Sequence, residues 1–352
     1  QKIVNNEEPR ILNKLFIFMQ YNFKYDLIYY QLNSMLINKI KTPILITGGS
    51  GFIGSQLINK LIKSNIEVHV LLRKSSKIKK IFSKKIHYVK IKKINFNNFN
   101  EIEKYIGKLQ PKTIFHLASS GISERKVYKT KLNEINYLFL KKFYNICLKY
   151  KFAIFINTGS VSEYGNSDLN IKFKENKIFT NHSFYGISKL NGTRYISYKS
   201  SKRKVSTITI RPFYVYGPYE NKNRLISAIV TKMVNNKKIS LPKNDKVYRD
   251  FIHIKDVINF YIKVASSNKK FYGDIFNLGT GKKTTIFHIF KIIKKIVGYD
   301  LEPIHNYSLK EEYDYSSVAC MIKTKKVFKY KTNVSINAGI IETVRWHLKN
   351  IT

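Results

Sequence analysis

The sequence has little cysteine, little acid and no long apolar run. Its 352 residues include only two cysteines, Cys147 and Cys320, so we expect no disulfide framework and a reducing, cytoplasmic location. No segment reaches the ~18–20 uninterrupted apolar residues of a membrane-spanning helix. The aromatic stretch 15–30 is broken by polar residues and has no small-residue cleavage site. We therefore expect neither a membrane protein nor a secreted one.

Because acidic residues are scarce, the chain is strongly basic. Its 22 Asp and Glu face 64 Lys and Arg, for a formal net charge of +42. Only nine of the basic residues are Arg, the residue preferred for bidentate phosphate and base contacts. The other 55 are Lys, spread along the chain together with many Asn, Ile, Tyr and Phe, which share AT-rich codons. We interpret the charge as a solvated lysine-rich surface and expect no nucleic-acid partner.

Short apolar runs alternate with helical patterns along most of the chain. Pro43–Thr47 and Val68–Leu72 are strand-like, and a helical pattern with one apolar face runs between them from Phe52 to Lys63. Later strand-like and helical segments are Thr113–Leu117, Leu138–Tyr150, Ala153–Asn157, Tyr185–Tyr198 and Val205–Ile210. This alternation predicts an α/β fold with a doubly wound parallel sheet. From about Pro218 the runs are short and mixed, which predicts a smaller region packed on the sheet.

Three glycines connect the first strand to the first helix. Gly48, Gly51 and Gly54 form a G-x-x-G-x-x-G pattern. In such a loop the glycines allow a sharp turn, close approach of a pyrophosphate and close packing of helix on strand. The helix N-terminus then faces the phosphates. The pattern predicts a dinucleotide-binding loop, with Phe52 and Ile53 at the same helix start.

The end of the second strand bears on the choice of dinucleotide. An NAD site usually has an acidic residue there, about 20 residues after the glycines, for the ribose 2′-hydroxyl. This chain has Arg73 and Lys74 at that place, and its nearest acid, Glu67, lies at the start of the strand. A basic pair can neutralise a 2′-phosphate. We therefore favour NADP over NAD, and NAD stays open.

Tyr185 and Lys189 are spaced i and i+4, which places them on one helix face. A nearby ammonium group favours phenolate and lowers a tyrosine pKa, which suits general acid/base work. The spacing alone decides nothing, because chance gives about four such pairs in this composition and five are present. The context favours Tyr185, since a hydroxyl-rich loop from Gly159 to Gly165 follows an apolar strand upstream.

Through several motifs in the expected order, the chain resembles the extended short-chain dehydrogenase/reductase family, the nucleotide-sugar epimerases and dehydratases. The resemblance covers about Thr42 to Leu348. It is carried by Thr47–Gly54, Phe115–Ala118, Gly159–Gly165, Tyr185 with Lys189, Arg211–Pro218, Arg249–Asp256 and Phe276–Gly281. The implied fold is a Rossmann sheet with a smaller mixed C-terminal substrate-binding region. No His/Cys cluster has ligand spacing, so we expect no metal site.

The resemblance implies a role for each matching residue. Tyr185 would exchange a proton with the sugar, Lys189 would hold the nicotinamide ribose and lower the pKa of Tyr185, and Ser160 would hydrogen-bond the reacting oxygen. The residues implied to line the cofactor are Gly48, Gly51, Phe52, Ile53, Gly54, Arg73, Lys74, Ala118, Ser119, Tyr185 and Lys189. Ser160, Tyr214 and Arg249 would bind the substrate, with Arg249 on its diphosphate. We expect structural roles for His116 and His253.

Three positions depart from the family pattern. Val161 and Ser162 follow Ser160 where the 4,6-dehydratases carry Asp-Glu, so dehydration is disfavoured. Tyr214 stands where many members have an Asn that contacts the substrate phosphates. Ile91-Lys92-Lys93 replaces the Gly-Asp that commonly meets the adenine.

Three functions stay open. The first is an NAD(P)-dependent nucleotide-sugar epimerase. The second is an NADPH-dependent reductase of a nucleotide-linked 4-keto-6-deoxy sugar, similar to CDP-abequose synthases, which fits Arg73 and Lys74. The third is a non-catalytic basic scaffold that binds RNA, which the intact set of Ser160, Tyr185 and Lys189 disfavours.

The resemblance also suggests the organisation of the chain. We expect an N-terminal extension at 1–41, a Rossmann NAD(P)-binding domain at 42–217 to which 250–280 returns, and a mainly substrate-binding region at 218–352. Residues 1–34 are either a poorly conforming extension or a stretch upstream of a true start at Met35. A two-helix contact common in this family implies a homodimer.

Overall fold

A computed structural model describes residues 35–76, 85–121, 129–167, 171–180, 182–242, 247–306 and 316–350. The segment 1–34, on which the sequence leaves two interpretations open, lies outside these residues. Within them, no helix combines the length and the apolar character needed to cross a bilayer.

A seven-stranded sheet organises the chain, and every neighbouring pair of its strands is parallel. Its strands are β1 (Ile44–Thr47), β2 (Val68–Arg73), β3 (Val89–Ile94), β4 (Thr113–His116), β5 (Ile154–Thr158), β7 (Thr207–Pro212) and β12 (Tyr272–Leu278). Their order across the sheet is β12-β7-β5-β4-β1-β2-β3. The chain starts at the centre, winds outwards to β3, and then crosses back to build the other half. The predicted doubly wound α/β fold is confirmed.

Burial explains the composition of the strands. Every residue of β1, β4 and β7 is buried, because helices cover both faces of the sheet. The edge strand β3 differs, since both Lys90 and Lys93 are exposed. Charged side chains of this kind protect an open strand edge from pairing with another chain.

Ten α-helices follow β1 in the part of the chain that the structure describes. They are α1 (Phe52–Lys63), α2 (Phe99–Leu109), α3 (Lys129–Asn133), α4 (Leu140–Cys147), α5 (Phe184–Arg203), α6 (Leu225–Val234), α7 (Ile254–Ala265), α8 (Ile286–Val297), α9 (Ile322–Phe328) and α10 (Ile336–Asn350). A π-helical stretch, Glu134–Phe139, joins α3 to α4. Helices α1 and α7 pack on one face of the sheet, and α2 and α4 contribute to a separate core on the other.

The remaining strands are short and build a smaller region. They are β6 (Lys172–Phe173), β8 (Tyr214–Tyr216), β9 (Ser240–Pro242), β10 (Tyr248–Arg249), β11 (Phe251–His253), β13 (Thr284–Thr285), β14 (Ile304–Asn306) and β15 (Val318–Ala319). They form two-stranded pairs, β8 with β11, β9 with β14, β10 with β13 and β6 with β15. Helices α6, α8 and α10 share a third apolar core with several of these strands.

A buried carboxylate ties three segments of this region together. The Asp250 carboxylate accepts hydrogen bonds from the backbone N–H groups of Thr280, Gly281 and Ala319, and from the Thr280 hydroxyl. A buried charge is tolerated when donors surround it in this way. Asp250 therefore fixes the chain immediately after Arg249.

Candidate active site

The glycine loop leaves no room for a side chain at Gly48 or Gly54. Gly48 has φ +73, and a Cβ atom on it would lie 2.4 Å from the carbonyl carbon of Leu117. A Cβ atom on Gly54 would lie 2.3 Å from the carbonyl oxygen of Gly48. The turn from β1 into α1 is therefore packed backbone against backbone, both within the loop and against the end of β4.

The start of α1 suits a bound phosphate. Gly51 is its N-cap residue, no side chain caps the helix there, and its first turn contains no acidic residue. The free N–H groups and the positive end of the helix dipole attract an anion. Phe52 and Ile53 are half-buried against the main core, so they anchor this end of the helix. The loop and helix start fit the pyrophosphate of a dinucleotide.

Basic side chains follow the neighbouring strand β2. Arg73 is its last residue and is half-buried, and Lys74 is exposed immediately after it. Glu67 stands just before the strand, where its carboxylate lies 3.2 Å from His69 and 3.6 Å from Lys90. The nearest acid in sequence is thus engaged at the opposite end of β2 from Arg73.

Ser160 begins a single 3-10 turn, Val161–Tyr164, directly beyond β5. Its backbone is extended, with φ −159 and ψ 151, and its hydroxyl accepts a hydrogen bond from the backbone N–H of Ser162 at 3.1 Å. The residue is 6% exposed. The turn therefore holds a buried hydroxyl at the carboxyl edge of the sheet.

Helix α5 brings Tyr185 to this hydroxyl. The Ser160 and Ser119 hydroxyls lie beside the Tyr185 phenol and lower its pKa, so residues that follow β4 and β5 meet the start of α5 at one phenol. Burial nevertheless raises the pKa of Tyr185 to about 12, against the lowering effect of these two hydroxyls. The direction is opposite to the one that the Tyr-Lys spacing predicts. The loop from Ala118 also runs past the glycine turn, which links the phenol to the predicted cofactor loop.

Lys189 lies one turn further along α5 and is 4% exposed. Its ammonium group donates a hydrogen bond to the carbonyl oxygen of Thr158 at 2.5 Å. Burial lowers its pKa to about 8, and the Glu163 carboxylate opposes that change. The side chain is thus held beneath the turn at the end of β5, as a buried cation with an acid near it.

Asn136 is a residue that the sequence reasoning missed. It lies in the π-helical stretch and its amide oxygen accepts hydrogen bonds from the backbone N–H of Ser120 and the hydroxyl of Ser119. Its amide nitrogen donates to the carbonyl oxygen of Ser120 and to the hydroxyl of Ser188. All of its hydrogen-bonding groups therefore brace the chain around Tyr185. Its partners lie 16, 17 and 52 residues away in sequence, so no local pattern marks it.

Tyr214 and Arg249 form a second group on the smaller region. The guanidinium carbon of Arg249 lies 4.5 Å from the centre of the Tyr214 ring, an arrangement favourable for a cation–π contact. The Tyr214 hydroxyl accepts a hydrogen bond from the Ser317 hydroxyl at 3.1 Å. The two residues predicted to bind substrate thus contact each other.

The two histidines expected to have structural roles, His116 and His253, are buried and held by structural contacts. Nδ1 of His116 lies 2.9 Å from the Thr47 hydroxyl, and Nδ1 of His253 accepts from the backbone N–H of Lys255 at the start of α7. Burial lowers the pKa of each to about 3, so both are neutral near pH 7. Within the described residues no group of three or more His, Cys, Asp or Glu could hold a metal ion.

These features define a dinucleotide-binding α/β protein with a tyrosine, a serine and a lysine gathered at the carboxyl edge of its sheet. The model of the NAD dependent epimerase/dehydratase family matches residues 44–279. The chain belongs to this family of nucleotide-sugar enzymes, which is of the extended short-chain dehydrogenase/reductase type.

Individual relatives have differing activities. An ADP-L-glycero-D-manno-heptose-6-epimerase from Brachyspira hyodysenteriae is 28% identical over 84% of this chain and 95% of its own length. A CDP-abequose synthase from Salmonella typhimurium is 24% identical over 87% of this chain and 98% of its own length. Among solved structures, a UDP-glucose 4-epimerase from Thermotoga maritima has a TM-score of 0.79 at 24% identity, and covers 88% of this chain and 99% of its own. That likeness supports the fold.

Proposed function

We propose that the protein is a nucleotide-sugar epimerase that works by hydride transfer, with Tyr185 as its acid/base. The observation that carries this proposal is the meeting of Tyr185 with the Ser160 and Ser119 hydroxyls at the carboxyl edge of the sheet. Ligands of open α/β sheets bind at that edge. Tyr185 is the only one of the five Tyr-Lys pairs of the sequence that the family motifs select.

The proposed roles follow from these positions. The nicotinamide, when bound, supplies the acceptor and then the donor of hydride at a sugar carbon. Tyr185 takes the proton from the sugar hydroxyl as that carbon is oxidised. It returns the proton after the keto sugar has rotated in the site and presents its other face. Ser160 hydrogen-bonds the same oxygen and keeps it within reach of the phenol. Lys189 is proposed to hold the nicotinamide ribose, as the family resemblance implies.

Tyr214 and Arg249 are proposed to bind the nucleotide diphosphate. A guanidinium group suits two phosphate oxygens, and the Tyr214 ring gives Arg249 a fixed plane against which to lie. The Tyr214 ring thus replaces the more common Asn as support for the phosphate site. We expect the substrate to be anionic on this account, and the base of its nucleotide stays open.

Dehydration is disfavoured by the turn after Ser160. Val161 and Ser162 occupy the two positions at which dehydratases carry an acidic pair. Neither side chain titrates near neutral pH, so neither can eliminate water by acid/base catalysis. The absence of that pair leaves proton and hydride transfer as the chemistry of this site.

A nucleotide-linked keto-sugar reductase is the second candidate. Arg73 at the end of β2, with Lys74 after it, suits the 2′-phosphate of NADP, and a reductase draws on NADPH. The similarity to a CDP-abequose synthase supports the same reaction class. The basic end of β2 also supports NADP over NAD for either reaction.

The cofactor distinguishes the two candidates. The protein, purified without added cofactor, is denatured and the released nucleotide is measured, and its turnover of UDP-, dTDP- and CDP-sugars is followed by NMR. An epimerase releases bound NAD(P) and converts a sugar without added reductant. A reductase is isolated empty and consumes NADPH only with a keto sugar. If no nucleotide sugar is converted under either condition, both candidates are wrong.

We propose a homodimer that forms through two adjacent helices. Leu138 on the π-helical stretch and Ile187 and Tyr198 on α5 are 39%, 41% and 61% exposed. An apolar pair of neighbouring helices of this kind can be covered by its symmetry mate. A cytoplasmic location is proposed on the scarcity of cysteine.

A further inference from the structure

A buried carboxylate lies directly under the serine turn and has no part in the proposed chemistry so far. Glu163 is fully buried, in a chain where most charged side chains are solvated. It belongs to the same 3-10 turn that Ser160 begins. A buried carboxylate requires compensation from donors, so its partners should reveal what it holds in place.

Both oxygens of Glu163 have a partner. Oε1 accepts a hydrogen bond from the backbone N–H of Ser160 at 3.0 Å. Oε2 accepts one from Nε of Arg211 at 2.8 Å, and Arg211 is 1% exposed. The carboxylate therefore joins the serine at the end of β5 to an arginine on the neighbouring strand β7.

Arg211 is itself held from three sides. Besides Glu163, it donates through Nη1 to the carbonyl oxygen of Glu175 at 3.2 Å. Its guanidinium carbon also lies 4.5 Å from the centre of the Tyr164 ring. Arg211 is thus a rigid support, and Glu163 transmits its position to Ser160.

Gly159 provides a second sign that this carboxylate is built into the turn. A Cβ atom there would lie 2.5 Å from Oε1 of Glu163 and 3.0 Å from Cγ of Arg211. The carboxylate and the arginine stem therefore occupy the space that a side chain would need before Ser160. The bond from Glu163 is made to the N–H of a Ser160 whose backbone is extended and whose hydroxyl lowers the pKa of Tyr185.

We propose that Glu163 is a positioning residue for the proposed reaction, acting through the backbone of Ser160 with Arg211 as its fixed support. This inference rests on the proposed function. The proposed role of Glu163 is more than a contribution to stability, because a buried ion pair can often be replaced by apolar residues without loss of stability. The hydrogen bond to the Ser160 N–H is the feature that an apolar pair cannot replace.

Charge at the site is consistent with this placement. Glu163 contributes to the pKa shifts of four groups, which are Arg211, Tyr164, Tyr185 and Lys189. The carboxylate raises the pKa of both Tyr185 and Lys189. A neutral replacement of Glu163 must therefore be combined with a neutral replacement of Arg211, so that no uncompensated buried cation is left next to the serine turn.

Two double variants separate the hydrogen bond from the charge pair. E163Q/R211M removes both charges but keeps an amide oxygen that can accept from the Ser160 N–H. E163M/R211M removes the charges and the acceptor. We expect kcat within about threefold of the parent for the first, and about 30- to 100-fold lower for the second with KM little changed, because misplacement of a reacting group carries costs of this size.

Ser160→Ala tests whether the effect passes through the serine. If it does, adding E163M/R211M to S160A lowers kcat no further. Tyr144→Phe is the matched control, since it removes a buried hydrogen bond to the Thr207 hydroxyl, 2.7 Å long, away from the site. It should lower thermal stability and leave kcat unchanged.

Equal kcat for the two double variants would overturn the inference. So would a full further loss in the S160A background, or a loss of kcat in Y144F that matches its loss of stability. Amide hydrogen exchange at Ser160 gives a readout independent of activity. Exchange should stay slow in E163Q/R211M and accelerate in E163M/R211M; slow exchange in both contradicts the inference. If the parent converts no nucleotide sugar, the proposed function fails and exchange alone decides the role of Glu163.

Discussion

We expect Lys189 to lower the free energy of unfolding of the protein at neutral pH. Lys189 is 4% exposed, and burial lowers its pKa from 10.5 to about 8. At pH 7 the folded protein therefore holds a charge whose burial costs about 3 kcal/mol relative to the unfolded chain. Lys189→Met removes that cost but also the hydrogen bond to the Thr158 carbonyl oxygen, worth about 1 kcal/mol. We expect K189M to be more stable than the parent by about 2 kcal/mol at pH 7.

The pH dependence has a definite sign. Because the pKa of Lys189 is lower in the folded state, the folded protein releases this proton first as the pH rises. Its penalty is present below pH 8 and disappears towards pH 10.5, so the parent gains stability over that window. At pH 10 the remaining penalty is about 1 kcal/mol, and the advantage of K189M should be close to zero.

Urea unfolding at pH 7 and pH 10 measures both values. Lys202→Met is the matched control, since Lys202 is an exposed lysine in the last turn of the same helix. It should change the free energy of unfolding by less than about 0.5 kcal/mol at either pH. A K189M protein that is less stable than the parent at pH 7, or whose advantage does not shrink by pH 10, refutes the reasoning.

Three further predictions concern the cofactor loop, the cofactor and the dimer. Gly54→Ala should weaken NAD(P)H binding at least about tenfold, measured by cofactor fluorescence, because the new Cβ would lie 2.3 Å from the Gly48 carbonyl oxygen. Gly107→Ala is the control and should leave binding unchanged, since its Cβ would meet only the end of a tyrosine side chain. Arg73→Asp should shift preference towards NADH by about tenfold or more, and an unchanged ratio contradicts the 2′-phosphate role. Tyr198→Glu should convert a dimer to a monomer in sedimentation experiments; a persistent dimer places the contact elsewhere.

Local signals predicted the first half of the fold well. The helix predicted from Phe52 to Lys63 has those bounds, because its apolar period and its glycine cap lie within a few residues of each other. Helix α5 extends beyond the predicted Tyr185–Tyr198, to Phe184–Arg203. Ser183 caps its start, and polar residues without apolar periodicity continue its end.

Features that depend on contacts between residues distant in sequence could not be predicted from local signals. The π-helical stretch holds Asn136 against Ser120 and Ser188, which are remote in sequence. Glu163 was hidden for the same reason, since a single acid in a hydroxyl-rich loop gives no sign of an arginine 48 residues later.

The pKa of Tyr185 shows a further limit. The i, i+4 spacing correctly places Lys189 one turn away, but in the folded protein burial outweighs the neighbouring polar groups and raises the pKa. Spacing specifies a neighbour, whereas desolvation depends on everything packed around both groups.

Turnover by Tyr185→Phe tests the central claim most directly. The parent and Y185F are compared on UDP-, dTDP- and CDP-sugars by NMR, with binding of nucleotide sugar and cofactor measured separately by calorimetry. We expect the parent to convert at least one sugar, and Y185F to bind both ligands yet turn over about 10³-fold more slowly, as expected when a general acid/base is lost. Turnover by Y185F within tenfold of the parent would contradict the account.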